Sequence, residues 1–185
     1  MGKEPVKTPG SIDYDELVST GDANSNRLKD IKHDPNDIAM IQFTSGTTGR
    51  PKAASLSQFG LTNNARCLAQ HWGWSENSSV ACNVPLFHIF GCLGGSMLSA
   101  SVGSHCVFPA PGWVPNATFA AIEKYKLNVM YGTPTMYVDL IQKSDNDPEL
   151  KKKLKSLEIG MAGGSLVPAE YRRLRSNRVK NSVSE

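Results

Sequence analysis

Apolar positions along this chain gather in short clusters whose spacing alternates between strand-like runs and helix-like repeats. The run Ile38-Ala39-Met40-Ile41-Gln42-Phe43 ends in a Thr/Ser/Gly cluster and predicts a buried strand feeding a loop. Ser57 is placed to cap a helix from Gln58 towards His71, with Phe59, Ala65, Leu68 and Ala69 inward and Gly73 just past its end. Val80 to Val84 predicts the next strand. A Gly-rich apolar helix to about Ala100 follows Pro85-Leu86-Phe87-His88, and then comes a strand at His105-Cys106-Val107-Phe108. The alternation continues with a helix from Ala117 to Tyr125 and a strand from Leu127 to Tyr131. Thr133 can cap, and Pro134 can start, a helix whose core side carries Leu140 and Ile141. Leu157 to Ala162 is a last strand, ending in Gly163-Gly164-Ser165. Strands separated by helices of this length imply an α/β fold with a mainly parallel sheet and helices on both faces.

The ends differ from this middle. Residues 1–36 are polar and broken by Pro5, Pro9, Gly10, Gly21 and Pro35, with a short helical patch at Tyr14 to Val18. Residues 171–185 lose the apolar period and become rich in Arg, Asn and Ser. The expected division is therefore a lead-in over 1–36, a folded domain over 37–170 and a basic tail over 171–185.

Composition narrows the function classes. A chain of 185 residues with 39% hydrophobic content can bury a real core. Its net charge of +3 is modest, and the tail arginines have no interleaved aromatics, which argues against a nucleic-acid partner. Glycines interrupt the longest apolar stretch, Ile89 to Ala100, which is too short to span a bilayer. Cys67, Cys82, Cys92 and Cys106 have no metal-ligand spacing, so the expectation is buried free thiols, no metal site and an intracellular compartment. The N-terminus carries neither an apolar signal core nor an Arg-rich amphipathic segment. A location in the mitochondrial matrix rather than the cytoplasm would then need targeting residues outside this sequence.

Chemistry concentrates in Thr44-Ser45-Gly46-Thr47-Thr48-Gly49-Arg50-Pro51-Lys52. Gly46 and Gly49 let main-chain N–H groups converge on an anion, the hydroxyls add donors, and Lys52 adds a cation. A triphosphate suits that set. The common Walker loop is disfavoured, because Lys52 is followed by Ala53 and Gly49 does not directly precede it.

These nine residues closely resemble the signature of the AMP-dependent synthetase and ligase family, whose members are adenylate-forming enzymes. The likeness extends over about Asp34 to Pro168. Pro85-Leu86-Phe87-His88-Ile89-Phe90-Gly91 resembles the family's second motif, and Tyr131-Gly132-Thr133-Pro134-Thr135-Met136-Tyr137-Val138-Asp139 is similar to a stretch typical of its medium-chain acyl-CoA ligase branch. Ala162-Gly163-Gly164-Ser165 resembles the segment lining the adenine and acyl sites. The resemblance implies ATP phosphates held by Thr44 to Lys52, and a fatty acid or other small carboxylic acid near His88, Gly132, Thr133, Gly163 and Gly164. It also implies Mg2+ as a cofactor and CoA as co-substrate. Each of the weaker matches has a structural alternative: a hydrogen-bonded histidine, a helix cap, a tight turn.

In such enzymes the carboxylate attacks the α-phosphorus of ATP to give an acyl-adenylate and pyrophosphate, and CoA then displaces AMP. Two departures stand out: Ala53 replaces a usual glycine, and Ser55-Leu56-Ser57 replaces a histidine-containing turn. The family's Tyr-Gly-x-Thr-Glu segment, its ribose-binding aspartate and its catalytic lysine have no counterpart in these residues. No catalytic residue is identified. The expectation is a piece of the large N-terminal domain, with an incomplete sheet, that is catalytically incomplete alone; the alternative is a noncatalytic nucleotide-binding module.

Overall fold

A computed structural model describes residues 9–21, 31–44 and 49–164. Ser45, Gly46, Thr47 and Thr48 of the phosphate loop lie outside the described residues, as do 165–185 with the expected basic tail. The chain divides into two compact units, Met1–Asp34 and Pro35–Glu185. In the first, α1 (Tyr14–Ser19) is capped by the Asp13 carboxylate, which accepts from Asp15 N and Glu16 N.

The second unit is built on a four-stranded parallel sheet in the order β4-β3-β5-β6, formed by β3 (Ser79–Cys82), β4 (His105–Val107), β5 (Val129–Gly132) and β6 (Ile159–Ala162). Neighbouring side chains on a strand point to opposite faces, so each buried strand feeds two cores. Val80, Cys82, Val129, Tyr131 and Met161 pack on one face against Ala65, Ala69, Trp72, Trp74 and Leu98. Met130 and Ala162 pack on the other against Phe119, Tyr137 and Leu140, and Ala81 packs there with Ile122 and Leu127. The first face is covered by α2 (Gln58–Trp72) and a helical stretch comprising α3 (Ile89–Gly91), the π-wound turn Cys92–Met97 and α4 (Leu98–Val102). The second carries α5 (Pro115–Tyr125), α6 (Pro134–Asp145) and α7 (Pro148–Lys153). The fold is α/β with a parallel sheet and helices on both faces.

Helix boundaries follow local chemistry. The Ser57 hydroxyl accepts from Gly60 N at 3.1 Å and starts α2. Gly73, at φ +69°, ends it: Gly73 N and Trp74 N donate to the Gln70 and Ala69 carbonyls, the two hydrogen bonds of a Schellman cap. Thr133 precedes Pro134 at the first position of α6.

Three expectations need correction. Ile38–Thr44 (β1) is not a buried strand of the parallel sheet; it pairs antiparallel with Lys52–Ser57 (β2) as a separate two-stranded hairpin, and Ile41 and Phe43 are exposed. Phe59 is 59% exposed, because the buried positions of α2 are Leu61, Ala65, Ala69 and Trp72 and Phe59 lies off that stripe. Cys67 is exposed and only Cys82 is fully buried, with Cys92 and Cys106 half-buried.

Candidate functional site

The β1–β2 hairpin holds the two ends of the phosphate loop in register. Thr44 pairs with Lys52, which brings the two ends of the loop side by side, and Gly49 has φ +79°. Arg50 and Lys52 are exposed. Gln42, on β1, donates from Nε2 to the Phe87 carbonyl at 2.6 Å and joins the hairpin to the segment that follows β3. At the other end of the hairpin, Gln58 N and Phe59 N donate to the Asp37 and Pro35 carbonyls and join it to α2.

The remaining candidates gather at the carboxyl ends of three adjacent parallel strands, where open α/β sheets bind ligands. His88 lies in the segment leaving β3, Gly132 and Thr133 leave β5, and Gly163 and Gly164 leave β6. Register aligns Cys82 with Tyr131 and Gly132 with Ala162, and Asn83 N donates to the Tyr131 carbonyl at 3.0 Å. The Phe90 ring stacks on Tyr131 with centroids 4.3 Å apart. A Cβ at Gly163 would sit 3.0 Å from Phe90 Cε2, so the ring lies directly on this backbone. A Cβ on Gly164, which has φ +90°, would stand 4.0 Å from Thr133 Cγ2. Phe90, Tyr131, Gly132, Thr133, Gly163 and Gly164 thus form one edge.

His88 stands at the rim of that edge. Its ring is exposed, and Nδ1 accepts from Phe90 N at 3.1 Å, capping the helix that begins at Ile89. In the neutral imidazole this leaves the proton on Nε2, free to donate. Sequence reasoning missed the aromatic body behind the rim. Tyr131 lies 6.3 Å, centroid to centroid, from both Trp72 and Trp74. Burial, with the adjacent Cys82 sulfur second, pushes the Tyr131 phenol well above its ordinary range. The Tyr137 hydroxyl, 2.7 Å from the Met130 carbonyl and 3.0 Å from that of Met161, spans β5 and β6 beneath Gly132 and Gly163. The Schellman signal Trp72-Gly73-Trp74 was the one clue to the tryptophans, since such caps pair with an apolar contact.

Among the described residues no group of three or more His, Cys, Asp or Glu side chains could hold a metal ion, and no helix is long and apolar enough to cross a membrane. A metal cage of this chain's own side chains therefore does not fit the described part of the site.

Comparison with known proteins identifies the fold and the family. The crystal structure of ATP-bound MatB from Rhodopseudomonas palustris superposes with a TM-score of 0.69 at 27% identity, over 80% of this chain and 28% of that one. A malonyl-CoA ligase with methylmalonyl-CoA and AMP bound does so at 0.68 and 26%, over 82% of this chain and 34% of that one. Among curated proteins, the mitochondrial medium-chain acyl-CoA ligase ACSF2 of Danio rerio is 39% identical over 171 residues, 89% of this chain and 28% of that protein. Its Bos taurus counterpart is 35% identical over 183 residues, 92% of this chain and 29% of that protein. This chain spans under a third of the length of those relatives. A model of the AMP-binding enzyme family matches residues 2–184. With that match over nearly the whole chain and relatives up to 39% identical, the chain belongs to the AMP-binding enzyme family.

Proposed function

We propose that this chain supplies the ATP-phosphate loop and part of the acid pocket of an acyl-CoA ligase that activates a fatty acid as its acyl-adenylate and passes the acyl group to CoA. The observation that carries the reading is the Gln42–Phe87 bond, which joins the loop's hairpin to the segment leading into the Phe90–Tyr131–Gly163 edge. A nucleotide on the loop and an acid at the edge would then meet end to end.

The residues have separable roles. Lys52 and the loop amides neutralise charge on the β- and γ-phosphates as pyrophosphate leaves. Holding acid and nucleotide in line supplies the larger share of the rate, by making the encounter unimolecular. His88, through Nε2–H, can donate to an oxygen of the acid or of the adenylate. Gly132, Thr133, Gly163 and Gly164 present main chain and small side chains where substrate must pass closely. Mg2+ would come as the Mg–ATP substrate, and CoA would be the co-substrate. A mitochondrial location, as in the names of the ACSF2 relatives, belongs to the same proposal and is tested by cell fractionation.

Calorimetry with Mg–ATP tests the reading. Losing a charge-assisted contact costs about 1.5–3 kcal/mol, so Lys52→Ala should weaken binding about ten- to a hundredfold. Lys124→Ala, on α5, should not change it. Equal affinity in wild type and Lys52→Ala would reject the phosphate-loop role.

A further inference from the structure

We propose that Tyr131 is the floor of the acid pocket and sets the longest acyl chain the site admits. The inference rests on the acid pocket lying at the Phe90–Gly163 edge, and it adds what stops the chain.

Tyr131 is 2% exposed, and its side chain shares the sheet face of Val129, towards α2 and the π-wound turn. On its outer side is Phe90, whose ring in turn lies against Gly163 at the rim. On its inner side are Trp72 and Trp74, themselves 6.1 Å apart. An acyl chain passing between the helical stretch and the sheet at this edge therefore meets Phe90 first, then the phenol, then a block of indoles.

The phenol is fixed from the side as well. Its hydroxyl lodges against Gly94 in the π-wound turn, where a Cβ would overlap the hydroxyl and the ring carbon bearing it. Only glycine at this position lets the full length of tyrosine lie there. π-turns concentrate at functional sites, because the extra residue opens a helix locally. Here that opening is filled by a side chain of the facing strand. Gly94 and Tyr131 act as a lock and bolt: shortening the bolt deepens the pocket, and filling the lock pushes the phenol back towards Phe90.

These opposite directions make the test. The purified chain is titrated by calorimetry with saturated carboxylic acids of increasing length, with indole emission as a second readout, since Trp72 and Trp74 line the floor. Each methylene that enters the pocket strengthens binding about fourfold. Wild-type affinity should climb with length and then level. Tyr131→Ala should keep climbing past that point, gaining about fifteenfold over two further methylenes. Gly94→Ala should level at a shorter acid, and Tyr131→Phe should lie between wild type and Tyr131→Ala. Cooperative melting confirms the fold of each variant; if Tyr131→Ala loses it, the Gly94→Ala shift decides alone. An unchanged limit in folded variants would overturn the role of Tyr131 while leaving the pocket standing. Wild type that binds no acid of any length would overturn the pocket and this inference with it.

Discussion

Removing the hydroxyl of Tyr137 tests whether β5 and β6 are clamped where Gly132 and Gly163 emerge. Tyr137 is 6% exposed, and its Oη lies 2.7 Å from Met130 O and 3.0 Å from Met161 O. It also lies against the β6 backbone, 3.3 Å from where a Cβ on Gly160 would stand. Tyr137→Phe keeps the ring packed against Met130 and Leu140 but deprives the buried carbonyls of this donor. A net hydrogen bond with the desolvation of its acceptor is worth about 1–2 kcal/mol. For a chain of this size that lowers Tm by roughly 2–8 °C. Calorimetric melting measures it, with Tyr125→Phe on the exposed side of α5 as the control expected to be silent. If Tyr137→Phe melts within about 1 °C of wild type, the hydroxyl contributes nothing to the clamp and the reasoning fails.

Three further outcomes are expected. Gly163→Ala places a methyl 3.0 Å from Phe90, so it should cost about 1–2 kcal/mol by urea unfolding and weaken acid binding as the ring shifts. Lys126, which ends α5 at φ +53°, is in the left-handed region, so Lys126→Gly should raise the urea midpoint by about 0.5–1 kcal/mol of stability. The neighbouring Cys106 sulfur and burial push the Cys82 thiol far above its ordinary range, so at pH 8 iodoacetamide should label exposed Cys67 long before Cys82; peptide mass spectrometry showing the reverse order would contradict that burial.

The parallel strands were legible because each is a short apolar run bounded by Gly, Pro or Asn, and both faces of the sheet are covered, so no alternation is needed. The hairpin was not. Ile38 to Phe43 is as apolar as those strands, and its partner, Lys52 to Ser57, is small and polar with no strand signature of its own. Only pairing distinguishes an exposed hairpin from a buried strand, and pairing is not local. Phe59 was misplaced by helix phase: it sits two residues before Leu61, roughly 160° around α2 from it and off the buried stripe. At the candidate site, motif order named the residues that the fold gathers at the strand ends. The Phe90–Tyr131–Trp72–Trp74 body joins residues far apart in sequence through ring contacts that no spacing rule encodes.

Because β1 and β2 share no ladder with the parallel sheet, the loop they carry rides on an element that can open by itself. Its anchors are the α2 junction and the Gln42 side chain, whereas the amides of β3 and β5 are walled in on both faces. Local opening free energies follow such differences in burial. Deuterium should therefore enter Met40 to Thr44 and Ala53 to Leu56 well before Val80 or Met130, and Gln42→Ala should speed exchange in the first group alone. A nucleotide bridging the loop to the sheet edge would merge the two populations, so exchange protection at the hairpin becomes a direct gauge of occupancy.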